Sequence, residues 1–228
     1  KKEDVNKMEN KNNTDISYKK VTKKDLKQII ETLSNFYPEA NCSLNYNTPY
    51  ELLVALILAA QCTDRRVNIV LPKFMEKFKD VYTVAHSNID DIIDIIKPCG
   101  YYNSKAKSIL AASKTIVSDF NGNVPNTMDD LLKLHGIGRK SANIILQECF
   151  NKLEGIAVDT HVTRISRKIG ISSSPYQASI EKDIMKSIDK KYYDKINHIF
   201  VYHGRKICIA NHPKCDICPI NNLCRKNK

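Results

Sequence analysis

The 228-residue sequence contains no tryptophan, only seven glycines and eight prolines, and no long hydrophobic run. An all-β sandwich needs many tight turns, so the scarcity of glycine and proline disfavours that class. The longest wholly apolar run covers nine residues, 52–60. A transmembrane helix needs roughly 20 apolar residues, so we expect no membrane span. An apolar content of 42% and a charged content of 27% are typical of an ordinary globular protein.

Acidic residues are in the minority, because 25 Asp and Glu face 36 Lys and Arg and leave a net charge of +11. Residues 1–27 carry nine Lys against five acids, and residues 203–228 carry six Lys and Arg against one acid. This excess makes nucleic acid, an acidic membrane surface and acidic proteins the candidate partners. We predict that residues 1–20 form a disordered basic tail. The tail has no apolar segment typical of a secretory signal, so we expect a protein that is not secreted.

Apolar residues recur with helical spacing along almost the whole chain, and no segment alternates as a strand does. Thr48 and Pro49 begin a segment that is apolar nearly all round, which predicts a central buried helix. We expect another helix to begin after Gly100, capped by Asn103 or Ser104. The sequence therefore predicts an all-α protein of roughly ten helices.

Residues 129–148 predict a helix, a tight turn and a second helix. A short helix over 130–134 leads into Gly136-Ile137-Gly138, and the next helix begins near Arg139. The two glycines permit unusual φ angles, and Ile137 is placed to fill the gap between the helices. Amides at the start of the second helix form an anion site. A plain helix–helix turn is the alternative, but the pattern of Leu, two glycines, Arg and Ala resembles the helix-hairpin-helix of DNA repair proteins.

Four of the eight cysteines fall within 17 residues near the C-terminus, at positions Cys208, Cys215, Cys218 and Cys224. Four thiolates at this density predict one metal centre. Zinc ribbons usually contain two C-x2-C pairs, whereas only one is present here. A [4Fe–4S] cluster also takes four cysteines and suits wider spacing. We interpret the remaining cysteines as small core residues: Cys42, Cys62, Cys99 and Cys149.

Several motifs in order resemble the endonuclease III family of helix-hairpin-helix DNA glycosylases with AP-lyase activity. The similarity runs from about residue 26 to residue 224 and includes LLVALILAAQCTD, GYYNSKA, LHGIGRKSAN, AVDTH, HGRKIC and the cysteine spacing. The resemblance implies two all-α domains. Residues 42–152 would form a six-helix barrel with the hairpin, and residues 21–41 and 153–228 a discontinuous domain that holds a [4Fe–4S] cluster.

The resemblance also implies the chemistry. Lys140 would be the nucleophile and Asp159 its partner, although alone they read as a surface lysine and an N-cap. An amine that attacks the sugar C1′ leaves a Schiff base, and β-elimination then cleaves the strand 3′ to the abasic site. Because the amine must lose its proton, we expect Lys140 to lie in a buried site beside other cations.

The DNA contacts implied by the family come from five residues, namely Gln61, Tyr101, Gly136, Gly138 and Arg139. Gln61 would fill the space left by the extruded base, and Tyr101 would wedge the strands apart. The resemblance leads us to expect double-stranded DNA with a damaged or abasic nucleotide as the partner, oxidised pyrimidines as the lesions, and a monomer. It also leads us to expect a cytoplasmic, nucleoid-associated protein in a bacterium or a nuclear one in a eukaryote. An adenine mismatch glycosylase and a non-catalytic DNA-binding module are the alternatives.

Overall fold

A computed structural model describes residues 20–225, and this part of the chain is built from helices without any β-strand. The prediction of an all-α protein is confirmed. The predicted tail at residues 1–20 lies, except for Lys20, outside the described residues. Eleven α-helices follow one another as α1 Lys23–Phe36, α2 Pro49–Ala59, α3 Asp64–Lys77, α4 Val81–Ala85, α5 Ile89–Ile96, α6 Tyr102–Phe120, α7 Met128–Leu131, α8 Arg139–Phe150, α9 Thr160–Ile169, α10 Gln177–Ser187 and α11 Tyr193–Lys206. Short 3-10 turns cover Lys97–Cys99, Lys190–Tyr192, Cys215–Ile217 and Asn221–Leu223.

Helix α2 is the central buried helix that the sequence predicts. The Thr48 hydroxyl accepts a hydrogen bond from the Glu51 amide, and Pro49 occupies the first turn. Seven of its eleven residues are buried. A helix that is apolar on all sides must be surrounded by other elements, and α3, α6 and α8 pack against it.

Two separate hydrophobic cores organise the chain. The first core is built by buried residues between Leu44 and Leu146, together with Ala157, and it lies among α2 to α8. The second core joins residues of α1 to residues of α9, α10 and α11, so the start of the described chain packs against its end. The proposed domain boundaries, 42–152 and 21–41 with 153–228, stay a prediction; we call the parts around the two cores the first and second lobes.

Polar contacts join the two lobes. Arg205 on α11 donates to Asp64 at the start of α3, with 3.0 Å between Nη2 and Oδ2. Glu148 on α8 accepts from Tyr46 at 2.8 Å and lies 2.9 Å from Nε2 of His198 on α11. These contacts hold the two lobes in place relative to each other on either side of the site described below.

Two local predictions are wrong. The helix expected at 130–134 covers Met128–Leu131, because the Thr127 hydroxyl caps it by accepting from the Asp130 amide. Helix α6 has no side-chain cap from Asn103 or Ser104; it begins at Tyr102, after Tyr101 in a left-handed conformation. Within residues 20–225, no helix is long and apolar enough to cross a membrane.

Candidate active site

Lys140 and Asp159 lie in the same cleft between the lobes. The cleft is open to solvent. Lys140 enters it from the first turn of α8, and Asp159 from the residue that precedes α9. Asp64, Ile144 and Arg205 are among its other lining residues. The sequence therefore identifies two polar side chains, far apart along the chain, that the fold brings to one opening.

Asp159 also caps its helix. Its Oδ1 accepts a hydrogen bond from the Val162 amide at 2.8 Å, and its backbone is extended, as an N-cap requires. The carboxylate is half-buried at the edge of the cleft. One side chain thus fixes the start of α9 and presents negative charge to the opening.

The expectation of a buried Lys140 is wrong for the protein alone. Lys140 is the second residue of α8 and is exposed, since it projects from the helix end into an open cleft rather than into a core. Its positive charge nevertheless reaches its neighbours, because it contributes to lowering the pKa of Asp64 and of His161. The amine therefore lies among charged groups without being enclosed by protein.

Asp64 and Arg205 form a charged pair in the cleft that sequence reasoning missed. Burial raises the pKa of Asp64, but hydrogen bonds from Ser43 and Arg205 and the charges of Arg205 and Lys140 outweigh it, so the pKa is lowered. Ser43 donates at 2.6 Å. Both charged residues belong to motifs quoted above, QCTD and HGRKIC, but nothing in either motif indicates that they meet.

An arginine connects the Asp159 segment to the cysteine loop. Arg164 donates to Nδ1 of His161 at 3.1 Å, to the Gly204 carbonyl at 3.1 Å and to the Cys208 carbonyl at 2.9 Å. Burial is the main cause that lowers the pKa of His161. Helix α9 thereby holds both the cleft carboxylate and the first cysteine of the loop.

The turn between α7 and α8 has the geometry of a tight hairpin. Gly136 adopts a φ of 85°, and a Cβ there would lie 2.8 Å from the Cβ of Ser108. Ile137 is buried and fills the gap between the helices, as predicted. Gly138 has a φ of −100° and is the N-cap of α8, so the expectation of an unusual φ is wrong for it. Ser108 Oγ lies 3.0 Å from Nδ1 of His135, which fastens the turn to α6.

Arg139 has a protein partner as well as a place at the hairpin. Its Nε donates to Oε2 of Glu181 on α10 at 2.6 Å. Glu181 is buried and also accepts from Asn143 and from the Ile156 amide. Its carboxylate consequently joins α8 to the second lobe, and the DNA contact assigned to Arg139 remains a prediction.

Gln61 and Tyr101 lie on exposed turns with left-handed backbones. Gln61 follows α2 with a φ of 51°, and Tyr101 precedes α6 with a φ of 48° and is 69% exposed. The other two non-glycine residues with positive φ in the described chain are Asn121 and Asn151, and asparagine tolerates this conformation. Glutamine and tyrosine do not adopt it readily, so backbone strain is concentrated at these two positions.

The four cysteines of the C-terminal loop line one cavity, together with apolar side chains such as Ile165 and Ile169. Burial raises the pKa of Cys218, and the thiols of Cys224, Cys208 and Cys215 raise it further, so the four lie near one another. Among residues 20–225, no three His, Cys, Asp or Glu side chains are placed to hold a single metal ion. His203 Nε2 lies 3.6 Å from the Cys218 sulfur.

Comparison with known proteins agrees with this geometry. Residues 54–190 match the family described as HhH-GPD superfamily base excision DNA repair protein. Endonuclease III of Synechocystis sp. is 41% identical over 197 residues, which cover 86% of this chain and 90% of that protein. Endonuclease III of Bacillus subtilis is 37% identical over 208 residues, or 90% and 94% of the two chains.

A solved structure of a non-covalent Endonuclease III–DNA complex superposes with a TM-score of 0.85 at 34% identity, covering 91% of this chain and 97% of that one. The resemblance, the helix-hairpin-helix glycosylase fold and the enzyme class that the sequence predicts are thereby confirmed. The chain belongs to the endonuclease III family of base excision repair DNA glycosylases and AP lyases.

Proposed function

We propose that Lys140 is the nucleophile that removes a damaged base and cleaves the strand, with Asp159 as its partner. The observation that carries the proposal is that both side chains line one open cleft between the lobes, beside the hairpin that begins α8. Of the lysines, Lys140 is also the one that the motif LHGIGRKSAN places at the hairpin.

The proposed reaction uses the neutral amine of Lys140. Nζ attacks C1′ of the nucleotide, the C1′–N bond to the base breaks, and the base leaves with a proton. Ring opening leaves an imine between Nζ and C1′, which makes the proton on C2′ acidic. Loss of that proton breaks the bond from C3′ to the phosphate oxygen, and hydrolysis of the imine frees the lysine.

Asp159 serves this sequence in two ways. Its carboxylate stabilises the positive charge that develops on the sugar, and it takes or returns protons at the neighbouring atoms. The amine is exposed in the free protein, so the substrate itself closes the cleft and excludes water from the reacting atoms.

The proposed partner is double-stranded DNA that contains a damaged or abasic nucleotide. A net charge of +11 favours the phosphate backbone. The exposed hairpin with Gly136, Gly138 and Arg139 presents the N-terminus of α8 to a phosphate. Gln61 and Tyr101 would enter the helix where the base has left. By similarity to the family, we propose oxidised pyrimidines as the damaged bases.

We further propose that Cys208, Cys215, Cys218 and Cys224 hold a [4Fe–4S] cluster. Four thiols around one cavity suit it, and the loop contains only one C-x2-C pair, whereas zinc ribbons usually contain two. The cluster would hold the basic loop in place.

We also propose that the protein is a monomer. Since the relatives are bacterial, we propose that it acts on nucleoid DNA in the cytoplasm.

Borohydride trapping on abasic DNA tests the proposed nucleophile. We expect the wild-type protein to form a covalent adduct, the Lys140→Gln variant to form none, and Lys114→Gln, which removes an exposed lysine of α6, to trap normally. Absence of an adduct with the wild-type protein would contradict the proposal and favour a non-catalytic DNA-binding module.

A further inference from the structure

Lys105 is a buried lysine that the proposed chemistry does not use. It lies on α6 and is 4% exposed. Its ammonium donates to the Leu58 carbonyl at 2.7 Å and to the Cys99 carbonyl at 2.8 Å. Burying a charge costs free energy unless the charged group is well hydrogen-bonded, so the buried ammonium and its two contacts indicate a role for Lys105.

The two carbonyls belong to the two strained turns. Leu58 lies three residues before Gln61 at the end of α2, and Cys99 lies two residues before Tyr101. These turns are separated by 40 positions in the chain, and the single ammonium is bonded to both of them. The Cys62 thiol, next to Gln61, also acts electrostatically on Cys99, which shows that the turns lie side by side.

An ammonium is well suited to such a junction. Carbonyls at the ends of helical segments lack amide partners and carry partial negative charge, and a lysine offers three donors on a long, thin stem. Burial lowers the pKa of Lys105, while the thiols of Cys62 and Cys99 act in the opposite direction. The carbonyl contacts favour the charged form that the junction needs.

We infer that Lys105 is a positioning residue for strand opening, which holds Gln61 and Tyr101 at a fixed separation so that both enter the same step of the duplex. This inference rests on the proposed function. The strain at both residues supports it, because a left-handed glutamine and tyrosine persist only where the surroundings hold them.

The spacing of residues along α6 also connects Lys105 to the hairpin. Lys105 and Ser108 are three residues apart on α6, so the two lie on one face of the helix. The Ser108 hydroxyl is hydrogen-bonded to His135 of the hairpin. One helical face thereby connects the wedge, the Gln61 turn and the phosphate-binding turn.

Lys105→Met tests the inference, because it keeps the length of the side chain and removes the donors. Strand opening is measured by the fluorescence of 2-aminopurine placed opposite an abasic site, in the Lys140→Gln background to prevent cleavage. Cleavage is measured separately, in protein that retains Lys140. It is compared on two duplexes that carry the same lesion, one fully paired and one with mismatched neighbours. Mismatched neighbours lower the cost of extrusion, so the wedge matters less there.

We expect Lys105→Met to lose the fluorescence rise and to cleave the paired duplex at least about ten-fold more slowly, with a clearly smaller loss on the pre-opened duplex. Lys105→Arg keeps a cation and should recover part of the loss. Lys114→Met, on the exposed face of α6, is the matched control.

Two results would overturn the inference. The first is that Lys105→Met cleaves the paired duplex as fast as the wild-type protein. The second is that Lys105→Met and Lys105→Arg each lose as much activity on the pre-opened duplex as on the paired one, because such a loss indicates a general effect on the fold. If the wild-type protein neither traps nor cleaves abasic DNA, the proposed function itself has failed, and that outcome is recognised without any Lys105 variant.

Discussion

At the scale of single residues, Asp159 carries two roles that substitution separates. Its carboxylate caps α9 and faces the cleft. Asparagine caps a helix about as well as aspartate, so Asp159→Asn should change the free energy of unfolding by less than about 0.5 kcal/mol. Asp159→Ala should cost about 1 kcal/mol. Both variants should slow base removal by about 100-fold or more, because both lose the charge.

Urea unfolding and single-turnover excision measure the two effects. If Asp159→Asn excised bases at the wild-type rate, the capping role alone would remain. The matched control is Thr127→Ala, which removes the cap of α7 outside the cleft and should affect stability without a comparable loss of rate.

Motifs identified Lys140 and Asp159, but their surroundings required coordinates. Asp64 and Arg205 are 141 positions apart, and no local pattern indicates that they bond. The burial of Lys105 was equally hidden, because a lysine on an amphipathic helix is ordinarily read as solvated. The exposure of Lys140 fits that reading and contradicts the burial that its chemistry led us to expect. Local sequence shows which chemistry is present, whereas solvent access depends on which elements pack over it.

At the scale of elements, the start of a helix could be predicted from the sequence only where a residue with a capping signal marks it. Thr48 and Pro49 marked the start of α2 correctly, since the cap and the proline act within one turn. The start of α6 could not be read in this way, because Tyr101 occupies the cap position without any side-chain hydrogen bond. A helix start held by tertiary contacts leaves no capping signal in the sequence.

The cysteine loop, residues 208–224, gives the element-scale prediction. Purified protein should contain roughly four iron and four sulfide per chain and show the broad visible absorbance of a cysteine-ligated cluster. Cys218→Ser should lose much of the iron, whereas Cys149→Ser, a half-buried cysteine outside the loop, should retain it. Finding about one zinc per chain and no sulfide would contradict the proposed cofactor.

At the scale of the whole molecule, the lobes are joined by a charged contact whose strength depends on pH. The hydrogen bond with His198 lowers the pKa of Glu148 below its ordinary value of 4.5, although burial opposes this, and Tyr46 adds a second hydrogen bond. A carboxylate with a lowered pKa stabilises the folded state above that ordinary value, and the stabilisation is lost as the pH falls through the folded-state pKa.

Glu148→Gln should therefore lower the free energy of unfolding by about 1–3 kcal/mol at pH 7, and the difference from wild type should shrink below pH 4.5. Urea unfolding across this range measures it. Glu154→Gln, at an exposed position, should show no such trend. A difference that stayed constant from pH 7 to below 4.5 would indicate that the charge is not involved.

The assembly of the lobes was the least predictable level. Periodicity showed that α1 and α11 each have a buried face, but it did not show that they share a core across nearly the whole chain. Helical stripes of leucine and isoleucine are interchangeable as packing surfaces, so partners are selected by the full set of shapes and connections. The domain boundaries drawn from the family resemblance, 42–152 and 21–41 with 153–228, stay a prediction.

The most direct measurement of the central claim is to locate the covalent bond to DNA. After borohydride reduction on abasic DNA and proteolysis, mass spectrometry should find the deoxyribose remnant on the peptide that contains Lys140, and on no other lysine. An adduct on a different lysine, or cleavage of abasic DNA that proceeds without any adduct, would contradict the account.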